Sequence, residues 1–224
     1  MHKHLFLFGG GPPFTPKMAS EFAKIAAEMK KPVAILFVER DGWEAYMPNY
    51  TNALREAGID SFHILPLPST SISEVIDCLK DSSGVVIGGG DTNLYADYIV
   101  DTAISTAIKE RYELGLPVAG FSAGSLISPE VCILSPKDNV KNEFQQRIGL
   151  GLISNLVVSV HFSQWNDEEH LREASNRYSG LNNFGIDEET GIYFLNGQFV
   201  AAEGYGVYSI ENDSLISLHR NQKK

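Results

Sequence analysis

Ser122 stands in Gly120-Phe121-Ser122-Ala123-Gly124, behind the apolar run Pro117-Val118-Ala119 and ahead of Ser125-Leu126-Ile127. A strand that breaks into a tight turn and runs at once into a helix lifts such a serine above the C-terminal edge of a sheet, its hydroxyl exposed. The helix behind it offers unpaired N–H groups to a developing oxyanion. A serine hydroxyl attacks a carbonyl only when a base takes its proton, and the base needs an acid to orient it. His161 closes the apolar run Leu156-Val157-Val158-Ser159-Val160 and is the first candidate base. Asp138, Asp187 and Glu188 are the candidate acids. A second order is also available, with Ser122 followed by Asp138 or Asp187 and then His219. It is disfavoured because His219 lies in a polar C-terminal stretch of the kind that frays.

A further element points to the same chemistry. Val85-Val86-Ile87 runs into Gly88-Gly89-Gly90-Asp91-Thr92-Asn93. Glycines after a buried strand let backbone N–H groups approach a reacting centre. An ordinary turn closed by an Asp or Thr helix cap explains the same residues. The other glycine run, Gly9-Gly10-Gly11, lacks the Gly-Lys-Ser/Thr ending of a phosphate loop, and Pro12 and Pro13 remove donors that a phosphate needs.

The elements that must position these groups read as alternating strands and helices. Leu5 to Phe8, Pro32 to Val38, Phe62 to Leu65, Val85 to Ile87 and the run before Ser122 are short and apolar. Between them, apolar residues recur at helical spacing: Met18, Phe22, Ile25 and Met29; Trp43 through Ala57, interrupted by Pro48; Ile72, Val75, Ile76 and Leu79; and Asn93 to about Leu114. This pattern predicts a mostly parallel sheet with helices on both faces, whose ligand chemistry sits at the C-terminal strand ends. Residues 129–150 read as loop, and a helix follows to about Tyr178. Short β runs from Gly191 to His219, with a turn at Asn196-Gly197, predict antiparallel strands at the sheet edge. With no repeat or linker, residues 1–224 read as a single α/β domain.

Composition narrows the function. A net charge of −10 and an isoelectric point of about 5.0 argue against nucleic acid as a main partner. Cys78 and Cys132 have neither a CxxC nor a zinc spacing, so no metal site or disulfide framework is expected, and serine chemistry of the kind described implies no cofactor. No apolar stretch suffices for a signal peptide or a membrane span. The expectation is a cytoplasmic protein with no membrane or nucleic-acid partner; a homodimer is compatible with it.

Taken together, Gly88-Gly89-Gly90-Asp91-Thr92, Gly120-Phe121-Ser122-Ala123-Gly124, His161-Phe162 and Gly185-Ile186-Asp187-Glu188 resemble the aspartyl dipeptidase (peptidase E) and cyanophycinase family of serine peptidases. The resemblance runs through most of the chain. It implies a fold like the class I glutamine amidotransferases, with serine in place of their cysteine. It implies Ser122 as nucleophile, His161 as base and Glu188 as triad acid. Asp138 falls near an aspartate also proposed as essential in the family, about one residue out of register. Gly89 and Ala123 match the oxyanion positions, with Gly90 beside them. Short peptides are the implied substrate. The aspartyl dipeptidases carry an arginine near the start of the helix after the histidine. Here Asn166-Asp167-Glu168-Glu169-His170 stands there and Arg172 is the first arginine, so the resemblance does not carry aspartyl specificity. An esterase or amidase using the same site, and a non-catalytic binding module on the same fold, are the competing readings.

Overall fold

The computed structural model describes residues 1–221. Strands and helices alternate through the first part of the chain: β1 (His4–Phe8), α1 (Pro16–Ala26), β2 (Val33–Val38), α2 (Trp43–Tyr46), α3 (Pro48–Glu56), β3 (Phe62–Leu67), α4 (Ile72–Lys80), β4 (Gly84–Ile87), α5 (Thr92–Tyr95), α6 (Ala103–Glu113), β5 (Val118–Phe121) and α7 (Ala123–Leu126). The rest is strand-rich: β6 (Val131–Leu134), β7 (Gln145–Ile148), β8 (Leu156–Ser159), α8 (Glu168–Arg177), β9 (Asn182–Ile186), β10 (Gly191–Leu195), β11 (Gln198–Glu203), β12 (Gly206–Glu211) and β13 (Ser214–Arg220).

The central sheet has the order β11-β10-β1-β5-β4-β2-β3. β1, β5, β4, β2 and β3 are parallel, and β10 and β11 add an antiparallel edge beside β1. Leu5, Phe6, Leu7, Ile35, Leu36, Val85, Val86 and Ile87 are wholly buried, as strands covered on both faces require. The register sets Phe8 beside Phe121, and Ile87 beside both Gly120 and Leu36. Gly9 and Ser122 therefore leave the sheet at one level, with Gly88 one residue below them.

A second sheet, β13-β12-β9-β8, pairs β8 and β9 in parallel and adds β12 and β13 antiparallel. Its strand ends meet those of the central sheet. His161 N–H donates to the Gly9 carbonyl at 2.6 Å, and Gly9 N–H to the Thr190 carbonyl at 3.1 Å. A Cβ on Gly9 would lie 2.2 Å from the Ile186 carbonyl oxygen. The first glycine run thus serves close packing of two backbones.

Three elements differ from the sequence expectation. Residues 129–150 contain the β6–β7 hairpin, in which the polar strand Gln145–Ile148 leaves no apolar signature. The helix expected from Asn93 to Leu114 is interrupted by a π turn at Ala96–Val100. Thr102 then starts α6, its Oγ accepting from Ile104 N–H. The tail strands divide between two sheets instead of lining one edge, because β12 pairs with β9. Pro48 does begin its own helix, at the position where a missing N–H costs nothing. Among the described residues no helix is long and apolar enough to cross a membrane.

Candidate active site

Ser122 sits between β5 and α7 with φ 49° and ψ −108°, a conformation that a side-chain-bearing residue adopts only when its surroundings impose it. The surroundings are the two sheets and the glycines. A Cβ on Gly120 would lie 2.4 Å from the Gly124 carbonyl oxygen, so the turn admits only glycine there. Ser122 N–H donates to the Phe8 carbonyl at 3.0 Å. Ser125, wholly buried, braces the turn: its Oγ accepts from Phe8 N–H at 2.9 Å and lies 2.7 Å from the Gly120 carbonyl. Sequence reasoning missed Ser125, although its place directly after the elbow was a usable signal.

His161 follows β8 and also has positive φ, 49°. Its Nε2 lies 2.9 Å from Ser122 Oγ, and its Nδ1 lies 2.7 Å from Glu188 Oε1. With the Nδ1 proton directed at the carboxylate, Nε2 keeps its lone pair for the serine proton. Glu188 follows β9, and its backbone N–H donates to Gln164 Oε1 at 3.1 Å. The parallel pair β8 and β9 delivers His161 and Glu188 side by side, while β5 delivers Ser122 from the other sheet.

The remaining candidates stand elsewhere. Asp138 Oδ2 accepts from Thr92 Oγ1 at 2.7 Å and makes no hydrogen bond to His161. Burial pushes its carboxyl up to about 6, against the Thr92 hydroxyl and the nearby His161, which favour the charged form. Asp187 Oδ1 accepts from Ser163 N–H at 2.9 Å and so holds the loop after His161. His219 Nε2 lies 3.2 Å from the Gly204 carbonyl oxygen, and His161, not His219, touches Ser122.

The three backbone groups expected at an oxyanion differ in state. Gly89 N–H donates to the Tyr50 hydroxyl at 3.1 Å. Burial pushes that phenol up to about 12, so it stays neutral. Among the described residues the N–H groups of Gly90 and Ala123 have no hydrogen-bond partner. Asp91 caps α5 from the glycine loop, its Oδ1 accepting from Asn93 and Leu94 N–H. The turn-and-cap reading of Gly88–Asn93 and the donor-loop reading therefore coexist. Tyr50 carried no sequence signal beyond its place on an apolar helical face. Among the described residues no group of three or more His, Cys, Asp or Glu side chains could hold a metal ion.

The profile of peptidase family S51 matches residues 6–202. The chain is 27% identical over 180 residues to a cyanophycinase of Trichormus variabilis, covering 77% of this chain and 60% of that protein. It thus spans about three fifths of that relative's length. Among solved structures, a peptidase from an acI-B1 actinobacterium superposes with a TM-score of 0.72 at 20% identity, covering 99% of this chain and 96% of the other. A putative peptidase E protein of Listeria monocytogenes EGD-e superposes with a TM-score of 0.66 at 16% identity, covering 91% and 98%. At these identities the superpositions establish the fold.

Proposed function

The chain belongs to peptidase family S51, and from that premise we propose that it is a serine-type peptidase that hydrolyses short peptides in the manner of a dipeptidase. The observation that carries this reading is the continuous path from Ser122 Oγ through His161 to Glu188, with contacts of 2.9 and 2.7 Å. Ser122 Oγ attacks the scissile carbonyl as its proton passes to His161 Nε2. Glu188 holds the ring and offsets the charge of the imidazolium. The tetrahedral oxyanion is received by the free N–H groups of Gly90 and Ala123, each worth on the order of 3 kcal/mol in such a role. Gly89 joins them only if Tyr50 releases its N–H. His161 returns the proton to the departing amine, and a water repeats the sequence to free the acyl group from Ser122.

Aspartate selectivity finds no support at the helix after His161. Asp167, Glu168 and Glu169 place negative charge where a substrate carboxylate would need a cation. Arg172 is committed to Glu168 and Asp213 at 2.6 Å each. Cys78 and Cys132 are both free, and the cytoplasm is the compartment that keeps such thiols reduced.

The test is hydrolysis of a panel of short peptides, with and without N-terminal aspartate, by the wild type and Ser122→Ala in the presence of a chelator. Cleavage by the wild type that disappears in the variant supports the reading, and the preferred peptides define its selectivity. Hydrolysis of esters alone would make it an esterase. No turnover of peptides or esters would leave a binding module on a peptidase fold.

A further inference from the structure

Trp165 lies flat against the base. Its ring centroid is 4.4 Å from that of the His161 imidazole, and the two planes differ by 18°. On the reading that Ser122 and His161 carry out the chemistry, we propose that Trp165 is a positioning residue: its indole face holds the His161 ring in plane with Ser122 and Glu188 and stabilises the imidazolium that forms as the serine attacks.

The local backbone favours the stack. Trp165 N–H donates to the His161 carbonyl at 2.8 Å, closing one turn of chain from the histidine to the tryptophan. Residues four apart in such a turn share a face. The turn is then clamped from outside. Lys137 Nζ donates to the carbonyls of Trp165 and Asn166. Asp167, only 3% exposed, accepts from Ser135 Oγ at 2.8 Å and Ser159 Oγ at 3.0 Å, and its N–H donates to the Phe162 carbonyl. The backbone of Trp165 therefore cannot move away without disturbing the strands on which His161 is mounted, and the indole is presented to the imidazole from a fixed base.

The contact is selective for the transition state. Both imidazole nitrogens are engaged at the ring edge, by Ser122 and Glu188, and the indole covers a face. A neutral imidazole gains only dispersion from that face. An imidazolium gains cation–π attraction as well, and tryptophan offers the strongest such face. An interaction that strengthens as charge develops raises kcat and leaves KM unaffected. No charged residue could do this: a cation there would oppose the imidazolium, and a second carboxylate would compete with Glu188 for Nδ1.

The test compares Trp165→Phe and Trp165→Leu with the wild type by three measurements: kcat and KM on the best peptide of the panel, the second-order rate of inactivation by a small fluorophosphonate, and Tm. The fluorophosphonate reports the reactivity of the Ser122–His161 pair with no peptide contacts involved. The expected result is a loss of about 5- to 10-fold in kcat and in inactivation rate for Trp165→Leu, the size of one partly exposed cation–π contact, with KM within about twofold. Trp165→Phe recovers most of both rates. An unchanged inactivation rate with a raised KM would make Trp165 a substrate contact and overturn the proposal. Equal losses in Phe and Leu variants, accompanied by a fall in Tm, would make it packing and overturn it too. If the wild type is neither inactivated nor active, the serine-peptidase reading fails first, and this proposal fails with it.

Discussion

Replacing Glu188 by Gln keeps the shape of the side chain and removes its charge. The carboxylate oxygen is 2.7 Å from His161 Nδ1, and the Glu188 side chain is 46% exposed. For a charge separation of about 3 Å, Coulomb's law gives about 5 kcal/mol at an effective dielectric of about 20 and about 1.4 kcal/mol in bulk water. A half-exposed carboxylate falls between these, so the charge contributes about 2–3 kcal/mol to the imidazolium of the transition state. The expected loss in kcat/KM is therefore about 30- to 160-fold. Glutamine adds a second cost when its NH2 group faces the ring, because Nδ1 must then accept and Nε2 carries the proton that should come from Ser122. The carboxylate is half-exposed to solvent, so stability should change by less than about 1 kcal/mol. The assay is kcat/KM at neutral pH on the best peptide, with thermal unfolding alongside. Retention of more than about a third of wild-type kcat/KM would refute the assignment of Glu188 as the acid that serves His161.

Two further substitutions separate the alternatives. His161→Ala should lower kcat by a factor of about 1,000 or more, while His219→Ala, which loses only a contact with the Gly204 carbonyl, stays within about twofold; the reverse ranking would restore the acid-before-histidine order. Asp138 predicts a pH signature in stability. Its folded carboxyl is raised from 3.8 to about 6, so the folded state holds a proton that the unfolded chain releases, and wild-type stability should fall between about pH 4 and pH 6 from this group. Asp138→Asn keeps an oxygen for Thr92 and removes that loss: Tm should rise relative to wild type at neutral pH, by up to about 3 kcal/mol of stability, and match it near pH 4. A variant that is less stable than wild type at both pH values would contradict the burial argument.

The turn around Ser122 was legible because part of it is local. A Cβ on Gly120 would collide with Gly124, four residues on, so that half of the motif carries its own geometry, whereas Gly124 is required by its approach to Ile87 of β4. The alternation of apolar runs and helical spacing was legible for the same reason, since periods of two and 3.6 residues are properties of neighbouring positions. Breaks inside that pattern were less so. Pro48 announced its helix start, whereas the π turn at Ala96–Val100 sits in a sequence with ordinary helical composition.

The choice among acids was a tertiary matter. Asp187 and Glu188 are adjacent in sequence and chemically alike, yet one fastens Ser163 and the other reaches His161. Nothing within the dipeptide distinguishes them. The difference comes from the parallel pairing of β9 with β8, which places Glu188 beside His161, and from Gly9, whose missing side chain lets the second sheet close against the first. Tyr50 on Gly89 and the split of the tail strands were set in the same way, by partners far away in the chain. The amino-acid sequence by itself determined a strained serine at the edge of a parallel sheet and a short roll of groups able to serve it. Which of them stand within reach of it depended on how two sheets meet, because a side chain's reach is a few ångströms and only long-range packing brings those last ångströms within range.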